Sequence, residues 1–266
     1  MIGAKPGSGR KSNRKTMPES SKSTYIGFRK APLREKADYV KRHFSSIAGK
    51  YDFMNTLLSL GIHYFWKHRA VRMARLKPGS LVIDVCGGTG DLAVCAIRRL
   101  GEKGRVVLYD INGDMMEYGR RKIAKLGLED RIRFVQGDAQ SISFPDNLFD
   151  TAMIGFGIRN VADMNRCLGE IYRVLKPGGT FICLEFSLPT ASWFRLLYDF
   201  YSFRVMPMLG KMLTGSREAY LHLPESIRMF PPPGEFAAQI AGAGFSAVTY
   251  KRLTNGIVVV YTGVKP

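Results

Sequence analysis

The stretch Val82-Ile83-Asp84-Val85-Cys86-Gly87-Gly88-Thr89-Gly90-Asp91-Leu92 constrains this chain most. A β-branched apolar run ends in an acid, enters a glycine-rich turn and opens an amphipathic helix. The tip of such a strand is where an α/β sheet binds a nucleotide. Glycines there permit positive φ and let a ligand come close to the main chain. About 20 residues on, a second apolar run, Val106-Val107-Leu108-Tyr109, ends in Asp110, and an acid at that spacing reaches ribose hydroxyls. The pattern predicts a cofactor that carries adenosine.

Two cofactor classes fit the loop. Gly88-Thr89-Gly90-Asp91-Leu92-Ala93 matches the dinucleotide fingerprint in form. A dinucleotide would set a pyrophosphate on the loop and the helix N-terminus. Asp84 and Asp91 flank that position, and like charges in a partly dry site repel. S-adenosylmethionine has no phosphate and carries a sulfonium and an α-ammonium, which attract carboxylates. The acids therefore favour S-adenosylmethionine over NAD.

The rest of the chain reads as alternating strands and helices. Strand-like runs lie at Arg105–Ile111, Ile132–Gln136, Thr151–Phe156 and Thr180–Phe186. Helical patterns lie between them at Asp91–Leu100, Asp114–Leu126 and Asp163–Leu175. Met164, Leu168, Ile171, Tyr172 and Leu175 share one helix face, with Asp163 as its cap. Such alternation predicts a parallel sheet with helices on both faces. A helix near Glu235–Ala243 precedes two strand-like runs, Ala247–Leu253 and Ile257–Gly263, and Asn255-Gly256 between them signals a hairpin.

The chain has 266 residues and a net charge of +18. Residues 1–30 hold eight Lys/Arg against one acid and are rich in Ser and Gly. Residues 1–34 are read as a disordered basic tail and 35–266 as the folded domain. The tail has no apolar run of signal-peptide length, and its charge suits anionic lipid, nucleic acid or plain solubility. Four cysteines show no C-x-x-C spacing and no paired histidines. That argues against a metal site and for a reducing compartment.

Three segments resemble the ubiquinone/menaquinone biosynthesis C-methyltransferases, from about residue 35 to the end. Tyr51-Asp52-Phe53-Met54-Asn55-Thr56-Leu57-Leu58-Ser59-Leu60-Gly61-Ile62-His63-Tyr64-Phe65-Trp66 is similar to the family's first signature. Arg173-Val174-Leu175-Lys176-Pro177-Gly178-Gly179-Thr180-Phe181-Ile182-Cys183-Leu184-Glu185-Phe186-Ser187 is similar to its second. Phe156-Gly157-Ile158-Arg159-Asn160-Val161 matches its active-site stretch. The resemblance implies a class I methyltransferase, Rossmann-like: a seven-stranded, mostly parallel sheet whose last strand is antiparallel. It implies S-adenosylmethionine at Thr89, Asp110, Asp138 with Ala139, and Gly155. Asp138 stands where the family often has Asn, and Gly155 where Ser is common. Asp84, Gly87, Gly88, Gly90 and Ile111 complete the expected cofactor contacts, and Tyr51 and Asn55 are placed at the cofactor or acceptor mouth.

Methylating a quinol ring requires a neighbouring hydroxyl to lose a proton, against a phenol's value of about 10. Arg159, at the tip of the fourth strand, is the candidate to stabilise the developing oxyanion. A guanidinium keeps its proton in proteins, so a water would take the hydroxyl proton. Asn160 is expected to orient a hydroxyl or water, and His63 is a candidate base. Residues 188–235 interrupt the alternation with an aromatic, methionine-rich stretch from Trp193 to Leu213. Arg195, Asp199, Arg204, Pro207 and Lys211 break it, so it cannot span a bilayer. It reads as a lid over an apolar, isoprenoid-tailed acceptor, broken or kinked at Pro207 and resting on a membrane surface. The expected partner is a polyprenylated quinol. Demethylmenaquinol is preferred over a methoxy-benzoquinol, and no nucleic acid is expected. The expected location is the cytoplasm, with peripheral contact at the inner face of the membrane. A homo-oligomer is compatible with these features. A methyltransferase for another small molecule or RNA, and a non-catalytic subunit of a quinone-synthesis complex, remain as alternatives.

Overall fold

The computed structural model describes residues 23–214 and 218–266. Its centre is a seven-stranded sheet: β3 (Leu81–Val85), β4 (Arg105–Asp110), β5 (Ile132–Gln136), β6 (Phe149–Gly155), β7 (Leu175–Phe186), β8 (Ser246–Leu253) and β9 (Val258–Val264). The order across it is β5-β4-β3-β6-β7-β9-β8. β3, β4, β5, β6 and β7 run parallel, and β9 is antiparallel to both of its neighbours. This is the class I methyltransferase arrangement.

Why the sheet forms here is written in the strands. Val82 and Ile83 are both fully buried, yet on opposite faces of β3. Ile83 packs with Tyr109, Phe149 and Phe181 against α6 (Met164–Val174) and α10 (Pro233–Gly242). Val82 packs with Leu108, Met153 and Ile182 against α3 (Ile62–Met73), α4 (Asp91–Ile97) and α5 (Gly113–Lys125). A strand covered on both faces must be apolar throughout. Asp84 is therefore an exception that needs a reason.

The chain order reverses beside β3. β3, β4 and β5 step one way across the sheet, and β6 and β7 step the other. Such a switch point leaves a crevice beyond the carboxyl ends of the strands, and ligands bind there. Helix starts aim into it. Asn112 caps α5 by accepting from Met115 N–H at 3.0 Å, and Asp163 caps α6 by accepting from Arg166 N–H at 3.1 Å.

The hairpin at Asn255-Gly256 forms, with φ of 53° and 88° at those residues. Thr254, at φ of 46°, shares the left-handed region, and the four-residue loop joins the paired Leu253 and Val258.

Two expectations change. The tail boundary at residue 34 is too late. β1 (Ser23–Ile26) and β2 (Arg29–Pro32) make an antiparallel hairpin that runs straight into α1 (Leu33–Ile47). Ile26 and Ala31 are buried, which anchors it. The remainder of the tail, 1–22, lies outside the described residues. Pro207 does not break its helix either. α7 (Ser192–Phe200) continues through one π-turn at Tyr201–Val205 into α8 (Met206–Thr214). A π-turn ahead of a proline accommodates the missing N–H and the ring. α9 (Glu218–Met229) then leads back to the sheet. Among the described residues no helix is long and apolar enough to cross a membrane.

Candidate active site

Two cavities meet above β3 and β6. The first is walled by the glycine loop, the ends of β4 and β5, and α1 with Tyr51 from α2 (Tyr51–Leu58). Gly87, Gly88, Thr89, Asp84, Asp110, Ile111, Asp138, Ala139 and Gly155 all line it. Backbone shapes it. A Cβ on Gly87 would sit 2.7 Å from Leu108 Cγ and 3.0 Å from the Asp84 carbonyl. Cys86 and Phe156, the residues directly after β3 and β6, have φ of 54° and 58°. Side chains rarely adopt that region, and such strain gathers where a ligand is gripped. Asp110 accepts from Gly88 N–H and from Asn112 N–H, each at 2.8 Å, so one carboxylate ties β4 to the loop.

Asp84 is the exception in β3. Both its carboxylate oxygens are buried without a hydrogen-bond partner. Burial pushes its value up to about 8; the nearby Ala93 N–H, too poorly placed for a full hydrogen bond, opposes the rise, Asp110 adds to it and Lys67 opposes it. A buried carboxyl left unpaired is costly unless a ligand completes it. A primary ammonium would do so. Asp91 behaves differently from the expectation. Lys67 reaches it at 2.5 Å and Lys122 at 2.7 Å. Burial works against its charge, but the two lysines overcome it and hold Asp91 well below the usual carboxylate range. Asp91 is paired within the protein, which weakens the repulsion expected of it, although its charge still adds to the rise at Asp84. Asp84, without such a partner, carries the larger share of the preference for a cation.

The second cavity holds about 550 Å³ and is mainly apolar. It lies among α1, α2, α3, α7, α8 and α9. Phe44, Tyr51, Lys67 and Phe156 line both cavities and form the wall between them. Arg159 enters the second cavity, and Asn160 the first. Arg159 Nη1 donates to Glu185 Oε1 at 2.7 Å and to the Phe156 carbonyl at 2.5 Å, and Nε donates to Ser226 Oγ at 3.3 Å. The guanidinium also lies over the Phe186 ring, 5.3 Å from its centroid. Nη2 makes no hydrogen bond among the described residues. Glu185 is wholly buried.

A cofactor cavity abutting a larger apolar one on a class I sheet narrows the comparison. The model of the ubiE/COQ5 methyltransferase family matches residues 33–265. This chain belongs to the ubiE/COQ5 methyltransferase family. It is 44% identical to the ubiquinone/menaquinone biosynthesis C-methyltransferase UbiE of Coxiella burnetii, covering 94% of this chain and all of the relative. With UbiE of Stenotrophomonas maltophilia the identity is 45%, covering 93% and 98%. Among solved structures, the [4+2]-cyclase SpnF has a TM-score of 0.63 at 16% identity, covering 85% of this chain and 95% of that one. A phosphoethanolamine N-methyltransferase of Haemonchus contortus, solved with S-adenosyl-L-methionine, has a TM-score of 0.53 at 17% identity, covering 73% and 50%. At such identities the likeness concerns the fold.

Most sequence-predicted positions of the ubiE/COQ5 site converge, and three shift. Gly90 does not line the cofactor cavity. Its φ is 84°, and a Cβ there would meet Leu108 and Ile123 in the core. It is a packing glycine at the start of α4. Asn55 lines the larger cavity, not the cofactor one. His63 lines the larger cavity, but both its ring nitrogens are taken. Lys67 Nζ lies 2.9 Å from Nδ1 and Thr56 Oγ1 3.2 Å from Nε2. Burial, then Lys67, lowers its value to about 4. With both nitrogens engaged, the geometry speaks against His63 as the base. Gly155 offers only backbone, as its residue type requires. Asp138 keeps acceptor capacity beside Gln140, whose N–H lies 2.9 Å from Oδ1.

Sequence reasoning missed Glu185, His43 and His222. Glu185 had a signal: an acid inside the apolar run Cys183-Leu184-Glu185-Phe186 must find a cation. The two histidines had none, because α1 and α9 meet only in the folded chain.

Proposed function

We propose that this protein is an S-adenosylmethionine-dependent C-methyltransferase acting on the ring of a polyprenylated quinol, in menaquinone or ubiquinone synthesis. The abutting cavities carry this reading. One is small, glycine-walled and ends on an unpaired carboxyl; the other is large and apolar.

The protein's residues fit the cofactor. Asp84 would take the α-ammonium, Asp110 the ribose hydroxyls, and Asp138 with Ala139 the adenine edge. When bound, S-adenosylmethionine supplies a methyl group on a sulfonium, ready for attack by a carbon nucleophile. Phe44, Tyr51 and Phe156, with Lys67 beside them, form the wall at the junction and would limit the entry of water. Arg159 stabilises the negative charge that grows on the acceptor hydroxyl, using Nη2. Glu185 and Phe156 fix the guanidinium plane, so no reorganisation is needed when that charge develops.

The membrane reading rests on the rim. Leu60 is 91% exposed and Leu197 56%, and both also line the large cavity. Trp193, Leu196, Phe200 and Met212 are each more than 60% exposed on the same helical segment. Apolar groups around an opening let an isoprenoid tail pass between a lipid surface and the cavity without crossing water.

Methyl transfer from labelled S-adenosylmethionine to demethylmenaquinol and to a methoxy-benzoquinol tests the reading. Demethylmenaquinol should be the better acceptor. Label reaching neither quinol would overturn the assignment.

A further inference from the structure

His43 on α1 and His222 on α9 both line the acceptor cavity. Their ring centroids are 5.0 Å apart. Tyr39 packs against both, at 5.8 Å and 5.2 Å. His222 Nε2 lies 3.2 Å from Asn160 Oδ1. An amide oxygen only accepts, so Nε2 carries the ring proton and Nδ1 keeps its lone pair. His222 makes no second side-chain hydrogen bond among the described residues. Asn160 itself lines the cofactor cavity. The amide thus ties one imidazole in the acceptor cavity to the place where the methyl donor binds.

We propose that His222, oriented by Asn160, is the base that takes the hydroxyl proton of the acceptor ring. This rests on the quinol reading of the cavity. A neutral imidazole whose tautomer is fixed by an amide is a prepared proton acceptor. The groups that face His222 are His43, Tyr39 and Lys36 from α1 and Arg159 from the loop after β6. Burial, then His43, Arg159 and Lys36, lower His222 to about 3. Burial and Arg159 lower His43 to about 4. Both rings are therefore neutral before substrate binds. When an anionic oxygen forms beside His222, it draws the proton onto the ring and raises its basicity in the step that needs it.

The step balances. The acceptor O–H bond breaks, the electron pair stays on oxygen, and the proton moves to Nδ1. The oxygen's electron density drives the ring carbon to form its bond to the methyl, whose bond to sulfur would break with its electron pair going to the sulfonium, so that a neutral thioether, S-adenosylhomocysteine, would leave. That carbon then loses its own proton to water, restoring the aromatic ring as its oxyanion. The imidazolium returns the first proton to the oxygen. One proton leaves per methyl transferred.

The test uses the full chain and a soluble short-chain quinol, with turnover measured from about pH 6 to 9. His222→Gln keeps a donor for Asn160 but cannot accept a proton. Its turnover should fall about 10²- to 10⁴-fold. The residual rate should climb about tenfold per pH unit, because the ionised fraction of a hydroxyl near 10 does so. The parent rate should stay flat. His222→Ala should regain activity with added imidazole, and His43→Gln should keep the flat profile. Parent-like turnover in His222→Gln would overturn the proposal. So would an equal loss at every pH without imidazole rescue, which marks a structural role only. A pH-dependent loss in His43→Gln alone would move the base to His43. A parent that methylates no quinol would overturn the functional reading as well, whereas an active parent with an unchanged variant overturns the proposal alone.

Discussion

The two cavities share a wall but are built by opposite means. The cofactor cavity is made mostly of loops that directly follow strands, closed on one side by α1 and Tyr51, so most of its lining arises within short reaches of chain. Glycines, backbone and carboxylates at or near the strand tips line it. The acceptor cavity is made mainly of side chains from six helices, and its polar groups lie on elements far apart in sequence. Arg159 and Ser226 are 67 residues apart, and Asn160 and His222 are 62 apart. The first cavity is a property of the sheet. The second is a property of what has been packed onto it.

If that contrast holds, damage to the acceptor side should appear in turnover and damage to the cofactor side in affinity. Arg159→Ala should give the largest effect. Losing one preorganised donor to an oxyanion costs about 100- to 1000-fold in turnover, and cofactor affinity should change little. The ion pair with Glu185 adds a second consequence. Removing Arg159 strands a wholly buried carboxylate, which typically costs about 3–5 kcal/mol of stability. Pairing Arg159→Met with Glu185→Gln removes that penalty while leaving the oxyanion unsupported. A double variant that regains the parent melting temperature and stays slow supports the electrostatic role. One that regains turnover shows that Arg159 only holds the fold. Arg159→Lys should recover part of the rate, since a point charge cannot reproduce the planar fork.

Asp110→Ala comes next and should move the other observable. The carboxylate holds Gly88 N–H and Asn112 N–H and faces the expected ribose. Losing a charge-assisted hydrogen bond costs about 1.5–3 kcal/mol, read by calorimetry as weaker S-adenosylmethionine binding. At saturating cofactor, turnover should stay near the parent value. Unchanged affinity would remove Asp110 from the ribose.

The same contrast explains what the sequence reveals. The strand–glycine–helix pattern, Asp110, the Asp163 cap and the Asn255-Gly256 hairpin are short-range signals, and all appear in the structure. Gly90 shows the limit of reading a motif as one object. Its neighbours Thr89 and Asp91 line the cavity, whereas its own position faces Leu108 and Ile123. Asp91 shows the limit of reading charge. Its two lysines come from α3 and α5, and no local pattern reveals that the acid is already paired. His222 is invisible for the same reason, since it acquires meaning only against Asn160. The β1–β2 hairpin was hidden by composition: a charged segment with few apolar residues still docks through Ile26 and Ala31.

The smallest effect concerns Asp84, and it tests whether the cofactor side selects a cation. Burial lifts this carboxyl to about 8 before ligand binds, so at pH 7 most molecules carry it protonated. An acid raised on folding binds more protons in the native state than in the unfolded one. Between about 4 and about 8 the ligand-free protein should therefore lose stability as pH rises. An incoming ammonium reverses the preference and ionises Asp84, so binding must release close to one proton at pH 7. Each pH unit below about 8 then costs about 1.4 kcal/mol, or about tenfold in affinity. The gain should stop near pH 8, where a free α-amino group begins to lose its own proton. Calorimetry in buffers of different ionisation heat reads the proton release directly. Asp84→Asn should bind more weakly and lose the pH dependence. Binding without proton release, at an affinity flat from about pH 6 to 8, would mean that Asp84 is already ionised in the free protein. Cation selection would then have to come from elsewhere in the loop.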